Sequence, residues 1–92
     1  MTESKSALAV INNKRGLHAR ASAKFCAVAG SWDAAVFVEK DGIRVGGCSI
    51  MGLLTLGAGI GSEIKIITEG PQAAEALETL LQLIDEKFGE DG

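Results

Sequence analysis

Histidine occurs once in this chain, at His18, and cysteine twice, at Cys26 and Cys48. Two cysteines so far apart, with a single histidine, make a poor ligand set for zinc, and their spacing is not that of a redox pair. No bound metal and no cofactor are therefore expected. Positive charge is scarce too. Nine Lys and Arg stand against 12 Asp and Glu, for a net charge of −3 and a pI near 5.0. That balance removes the basic face that general nucleic-acid binding requires. No apolar run reaches the roughly 20 residues of a membrane-spanning helix. The polar start, Met1 to Ser6, leads into no signal-peptide core. A cytoplasmic protein without membrane insertion is expected, and a disulfide is not expected in that reducing compartment. Internal repeats and low-complexity segments are absent as well.

The 92 residues have a hydrophobic fraction of 47% and 23% charged residues. That is enough for one small core and one domain spanning 1–92. The chain is organised around Gly16-Leu17-His18-Ala19-Arg20-Ala21-Ser22. A helix-like pattern begins at Ala19, so His18 stands at a helix N-terminus. Backbone N–H groups there have no intrahelical partner, and with the positive end of the helix dipole they suit an anion, above all a phosphate. The N–H groups of Ala19 and Arg20 are the candidate phosphate-binding backbone. The Arg20 guanidinium can fork onto phosphate oxygens. A helix start also favours a neutral, nucleophilic imidazole. Lys14, Arg15, Arg20 and Lys24 cluster around His18 and suit an anionic ligand or an acidic partner. The plainer alternative is a surface or capping histidine.

Residues Lys5 to Asn12 read as a strand, followed by a loop to Leu17. Ala19 to Ala29 reads as a helix with Ala19, Ser22, Ala23, Cys26 and Ala29 on one face, stopped by Gly30-Ser31. Ala34 to Lys40 is a strand with Val36 and Val38 inward, joined by an Asp41-Gly42 turn to Ile43 to Gly46. Ser49 caps a short helix running to Leu56. Gly57 to Gly61 is a turn, since it lacks the Lys and Ser/Thr of a P-loop and ends a helix instead of opening one. Glu63 to Glu69 is a strand with Ile64 and Ile66 on one face. Gly70-Pro71 opens a last helix with an apolar stripe of Ala74, Leu77, Leu80, Leu81, Ile84 and Phe88. Gly89 to Gly92 is expected to fray. The order β-α-β-β-α-β-α implies an α+β fold, with a mostly antiparallel four-stranded sheet and helices on one face. A ferredoxin-like βαββαβ core with an added helix fits it. A helix as short as Ser49–Leu56 cannot turn all its apolar residues inward. Ile50, Met51 and Leu54 are therefore expected to form an exposed docking patch.

Two motifs resemble those of HPr, the histidine-containing phosphocarrier family of the bacterial phosphoenolpyruvate-dependent phosphotransferase system. Gly16-Leu17-His18-Ala19-Arg20 is similar to the family's active-site signature. Ser49-Ile50-Met51-Gly52-Leu53, followed by Leu56-Gly57, is similar to its regulatory-serine segment. The resemblance runs from about Lys5 to Phe88. It implies an open-faced β-sandwich, a four-stranded antiparallel sheet covered on one side by three helices. It implies that His18 accepts a phosphoryl group from phospho-enzyme I, on Nδ1, and passes it to an enzyme IIA domain, with Arg20 stabilising the phosphate. Lys24, Ile50, Met51 and Leu54 would contact these partners, and Ser49 would be the site of an HPr kinase/phosphorylase. A monomer is expected for a carrier that meets successive partners, and a carrier with a phosphohistidine intermediate rather than an enzyme with independent turnover. Ala21 departs from the proline found in many members, which puts the rigidity of the His18 loop in question. The resulting variant resembles the alphaproteobacterial form or the nitrogen-related branch. Other readings are a regulatory module that docks partners according to phosphorylation state, and a ferredoxin-like ligand-binding domain.

Overall fold

The computed structural model describes residues 3–92. Strand β1 (Ser4–Val10) leads to helix α1 (Ala19–Ala29), then β2 (Ala35–Lys40), β3 (Ile43–Gly46), α2 (Ile50–Thr55), β4 (Glu63–Glu69) and α3 (Ala73–Asp85). A single 3-10 turn, Lys87–Gly89, follows. The strands form one sheet in the order β1-β4-β2-β3, with every neighbouring pair antiparallel. Strands β1 and β2 thus run parallel with β4 between them, and β3 and β4 run parallel with β2 between them. Each crossover carries a helix, which is the split βαβ arrangement. The three α-helices cover one face and leave the other open, as an open-faced β-sandwich.

Side-chain alternation explains which face is covered. Opposed residues Ala9 and Ile64, then Ala7, Ile66, Val38 and Val45, point to the helices. Val38, Ile64 and Ile66 are buried there with Phe25, Leu53, Leu80, Ile84 and Phe88. On the open face Leu8, Lys65, Glu39 and Arg44 lie in register. Arg44 bonds Glu39 at 2.7 Å and lies over the Phe37 ring, so the open sheet is covered by charge and not by an element. The hairpin between β2 and β3 turns at Asp41-Gly42, both at positive φ (52° and 82°), as a two-residue primed turn requires.

Several expected faces and limits shift. Strand β1 stops at Val10, because Ile11 turns inward and bonds Ser62 and Gly61 through its backbone. The inward face of α1 is Ala21, Ser22, Phe25 and Ala29. Ala19 and Ala23 are exposed and Cys26 is half-buried. Alanine is compatible with either side, so the one large side chain, Phe25, sets the rotation. In α3 the buried set is Ala73, Ala76, Leu80 and Ile84. Ala74 is exposed, and Leu77 and Leu81 flank the stripe. Phe88 is buried as expected, but from the 3-10 turn and with φ 55°, beyond the end of the helix. Gly89 to Gly92 is not frayed, because Gly92 O accepts the Lys14 N–H at 2.7 Å.

The register assigns opposite energetics to neighbours on β4. Ile66→Val should cost about 1 kcal/mol of stability, whereas Lys65→Ala on the open face should change it by less than about 0.5 kcal/mol. Urea denaturation of both variants checks the assignment, and comparable losses would contradict it.

Candidate active site

The loop between β1 and α1 has no regular structure, yet it is tied on three sides. Asn13 is fully buried, and its Nδ2 donates to Gly16 O at 2.8 Å. The Leu17 N–H donates to Ala58 O at 2.8 Å, so the glycine-rich turn after α2 forms one wall. Gly16 sits at φ 66° with that turn against it. A Cβ added there would lie 2.5 Å from Ala58 O and 2.7 Å from the Gly59 Cα. Only glycine fits both the dihedral and the space. The glycine-rich turn therefore shapes the loop.

These ties set His18 as the N-cap of α1, with φ −78° and ψ −177°. The first intrahelical bond runs from the Ser22 N–H to His18 O at 2.8 Å. The N–H groups of Ala19, Arg20 and Ala21 are left without a partner in the helix. The Ser22 hydroxyl turns back to Leu17 O at 3.2 Å and is buried, closing the helix start from within. Ala21, where proline was a possible alternative, is fully buried. Packing and backbone bonds hold this turn without a fixed φ.

The imidazole is 22% exposed. Its Nε2 is hydrogen-bonded to Glu90 Oε2. The other carboxylate oxygen, Oε1, accepts from Asn13 Nδ2 at 3.0 Å. Both partners of Nδ2 are acceptors, which sets the orientation of the Asn13 amide. Nδ1 of His18 takes no hydrogen bond among the described residues and is open to solvent. The Asn13 hydrogen bond, followed by that from His18 and the charge of Arg15, holds the Glu90 carboxyl below the usual carboxylate range. A depressed folded-state value means that the unfolded chain binds this proton more tightly. The contact's contribution to stability is therefore complete above the ordinary carboxylate range, and it is lost as pH falls through the folded-state value.

Arg20, Lys14, Arg15 and Lys24 line one side of an open cleft of about 480 Å³, with residues 89–92 on the other. Arg20 is exposed and makes no ion pair among the described residues. Lys24 is less free, because its Nζ donates to Phe88 O at 2.6 Å. Ser49 is exposed and caps α2, accepting the Gly52 N–H at 3.0 Å. Ile50, Met51 and Leu54 are 41%, 71% and 36% exposed, and α2 packs on α1. Cys26 and Cys48 are free thiols, and burial, with Cys48 adding to it, pushes the Cys26 thiol up. No group of three or more potential metal ligands exists among the described residues, and none of their helices is long and apolar enough to cross a membrane.

The local motif thus assembles as its spacing implies, but two participants escape it. Glu90 lies 72 residues from His18, and Asn13 sits in a loop where its burial has no local signature. The only hint of Glu90's place was its position just beyond the apolar stripe of α3.

A family model described as "PTS HPr component phosphorylation site" matches residues 5–86. The phosphocarrier protein HPr of Cupriavidus necator is 49% identical over 80 residues, covering 87% of this chain and 90% of that protein. The crystal structure of HPr-C-His from Thermoanaerobacter tengcongensis superposes with a TM-score of 0.92 at 41% identity, covering 96% of this chain and 99% of that one. The phosphocarrier HPr structure from Bacillus anthracis gives 0.84 at 42% identity, covering 88% and 96%.

Gly16→Ala should destabilise the fold by about 2 kcal/mol or more, through its dihedral and its clash with Ala58. Gly59→Ala, with open space around its Cβ, is the control. Equal thermal midpoints for the two variants would contradict the wall assigned to this turn.

Proposed function

The chain belongs to the HPr family of phosphocarrier proteins, and from that premise we propose that His18 accepts a phosphoryl group from phospho-enzyme I and passes it to an enzyme IIA domain. One observation carries the assignment to His18. His18 caps α1 with its Nδ1 free of any hydrogen bond among the described residues, and the helix leaves its first three N–H groups unpaired. A nucleophile at a helix start has unpaired donors and the positive dipole end on its own turn, which supports a phosphate-handling role. Arg20 is exposed on the same turn and supplies a fork for the phosphate oxygens.

The chemistry asks for little more. Phosphoryl transfer through a loose, in-line transition state depends on positioning and on stabilising charge. The partner supplies part of both when it covers His18. A phosphoramidate on a partly open ring keeps its transfer potential and stays within reach of the next protein. The site has the form of a carrier, since the ring is partly exposed and stays within a partner's reach.

The exposed Ile50, Met51 and Leu54, on a helix packed against α1, together with the basic cleft suit an acidic partner with an apolar contact patch. Ser49 is the proposed regulatory site for an HPr kinase/phosphorylase. Its hydroxyl already accepts a helix N–H, and a phosphate there would meet the same donors. The added charge would disfavour an acidic partner on this face. Ala21 in place of proline favours the alphaproteobacterial or nitrogen-related branch, and so a regulatory relay as readily as sugar transport.

Incubation with phosphoenolpyruvate and enzyme I of the same organism should add one acid-labile phosphoryl group by intact-protein mass spectrometry. His18→Ala should abolish it. A folded wild-type protein that gains no phosphate would end the carrier reading. A separate kinetic series tests the docking face. Met51→Ala should raise the KM for phosphorylation by enzyme I about threefold or more, and Ser49→Asp should lower kcat/KM by about tenfold. Lys24 is a poorer probe, since reversing its charge also breaks its bond to Phe88. Unchanged constants in both variants would move the docking surface elsewhere.

A further inference from the structure

We infer that Glu90 is the positioning residue of His18, orienting its ring and balancing the charge the ring acquires when phosphoryl transfer occurs. The inference rests on the phosphocarrier reading and adds a residue from the far end of the chain to it. Its basis is geometric. Glu90 Oε2 pairs with His18 Nε2, and Oε1 accepts from Asn13 Nδ2 at 3.0 Å. An ionised carboxylate can only accept, so Nε2 is the donor and carries the ring proton. Nδ1 then presents its lone pair to solvent from the residue that caps α1.

The consequence for the reaction follows from where the protons and electrons go. The Nδ1 lone pair forms the new N–P bond. The bond from phosphorus to the donor group breaks, and its electron pair leaves with the donor. A neutral ring holding a proton on Nε2 thereby becomes a phosphorylated imidazolium, with no proton lost. Glu90 faces that positive charge through the Nε2–H. A carboxylate so placed, here partly buried, orients and stabilises an imidazolium. Asn13 is buried and bonded to Gly16 O, so it anchors the carboxylate to the loop that carries His18.

Glu90 is not what holds its own segment in place. The tail is fastened on one side by Lys24 Nζ to Phe88 O (2.6 Å) and on the other by the Lys14 N–H to Gly92 O (2.7 Å). Neither bond involves the Glu90 side chain. Changing the carboxylate therefore alters the ring's partner without releasing the tail. Glutamine keeps the shape but has one carbonyl oxygen, so it cannot accept from His18 and Asn13 on two separate oxygens, and it carries no charge.

The test uses the full 15N-labelled chain, as wild type, Glu90→Gln and Glu90→Asp. Long-range 1H–15N spectra of the His18 ring need no partner protein. Wild type should show a single tautomer protonated on Nε2, and in Glu90→Gln the Nε2 proton should exchange with solvent about tenfold faster or more. With phospho-enzyme I as donor, Glu90→Gln should lower kcat about tenfold with KM changed less than twofold, and Glu90→Asp should recover part of the loss. A wild-type ring protonated on Nδ1 would overturn the inference. So would a Glu90→Gln variant with wild-type ring resonances and wild-type kcat. If the ring responds to Glu90→Gln but wild type accepts no phosphate from the donor, the carrier reading itself has failed. The positioning role then falls with it, although the contact stands.

Discussion

The rest of the site depends on how one irregular loop is held. Residues 11–17 must present a histidine at a helix start without help from any sheet or helix of their own. The chain solves this with contacts to distant segments. Ile11 is bonded to the turn before β4, and Leu17 to Ala58 in the turn after α2. Gly16 lies directly against that turn. The buried Asn13 amide ties the loop to itself and to Glu90. A buried amide without partners would cost about 1–3 kcal/mol. Here Nδ2 donates twice while Oδ1 stays buried without a partner, so the loop's conformation and the satisfaction of that nitrogen are the same constraint. His18 inherits its place from that network, which leaves its own side chain free of any capping duty.

The sheet sets the stage for this more than it takes part. Its covered face supplies the apolar core that seats α1, chiefly around Phe25. Its antiparallel order brings β1 beside β4, so the loops leaving both strands meet at one end of the sheet. The turn before β4 and the loop after β1 can therefore bond each other. The split crossovers place α1 and α2 on one side, where they pack together, and α3 after β4 joins them there. Ser49, Met51 and Leu54 consequently belong to the surface next to α1, although some thirty residues separate α2 from His18 in the chain.

Much of this was legible in the sequence wherever a local signal decided the matter. The limits of α1, the Asp41-Gly42 turn and the Ser49 cap each rest on residues whose chemistry admits few alternatives. The element order, and with it the open-faced sheet, follows from such signals taken together. Rotation about the helix axes was less legible. In α1 and α3 the alanines satisfy either face, so spacing alone could not choose Ala21 over Ala23 or Ala73 over Ala74. The tail was misjudged for a different reason. Glycine and acidic residues after an apolar stripe ordinarily leave the surface, and nothing local distinguishes a Glu that finds a histidine 72 positions away. Long-range polar pairs have no periodicity, whereas helices, strands and turns do.

The tail also explains how an acidic chain keeps a basic site usable. The net charge is −3, yet four cations gather around one cleft. Left alone, such a cluster would repel itself and would lower the stability of the loop. Residues 89–92 line the opposite side of the cleft with Glu90 and Asp91, and the Phe88 carbonyl just before them accepts from Lys24 Nζ. The positive charge is moderated but not quenched, since Arg20 stays exposed and unpaired among the described residues. An arriving phosphoryl group carries negative charge into this balance. In the carrier role proposed for His18, it would be attracted by Arg20 and by the helix start, and repelled by the carboxylates opposite. A site with opposing terms of this kind would hold the group without burying it in a deep well. That is the energetic condition for handing the group on.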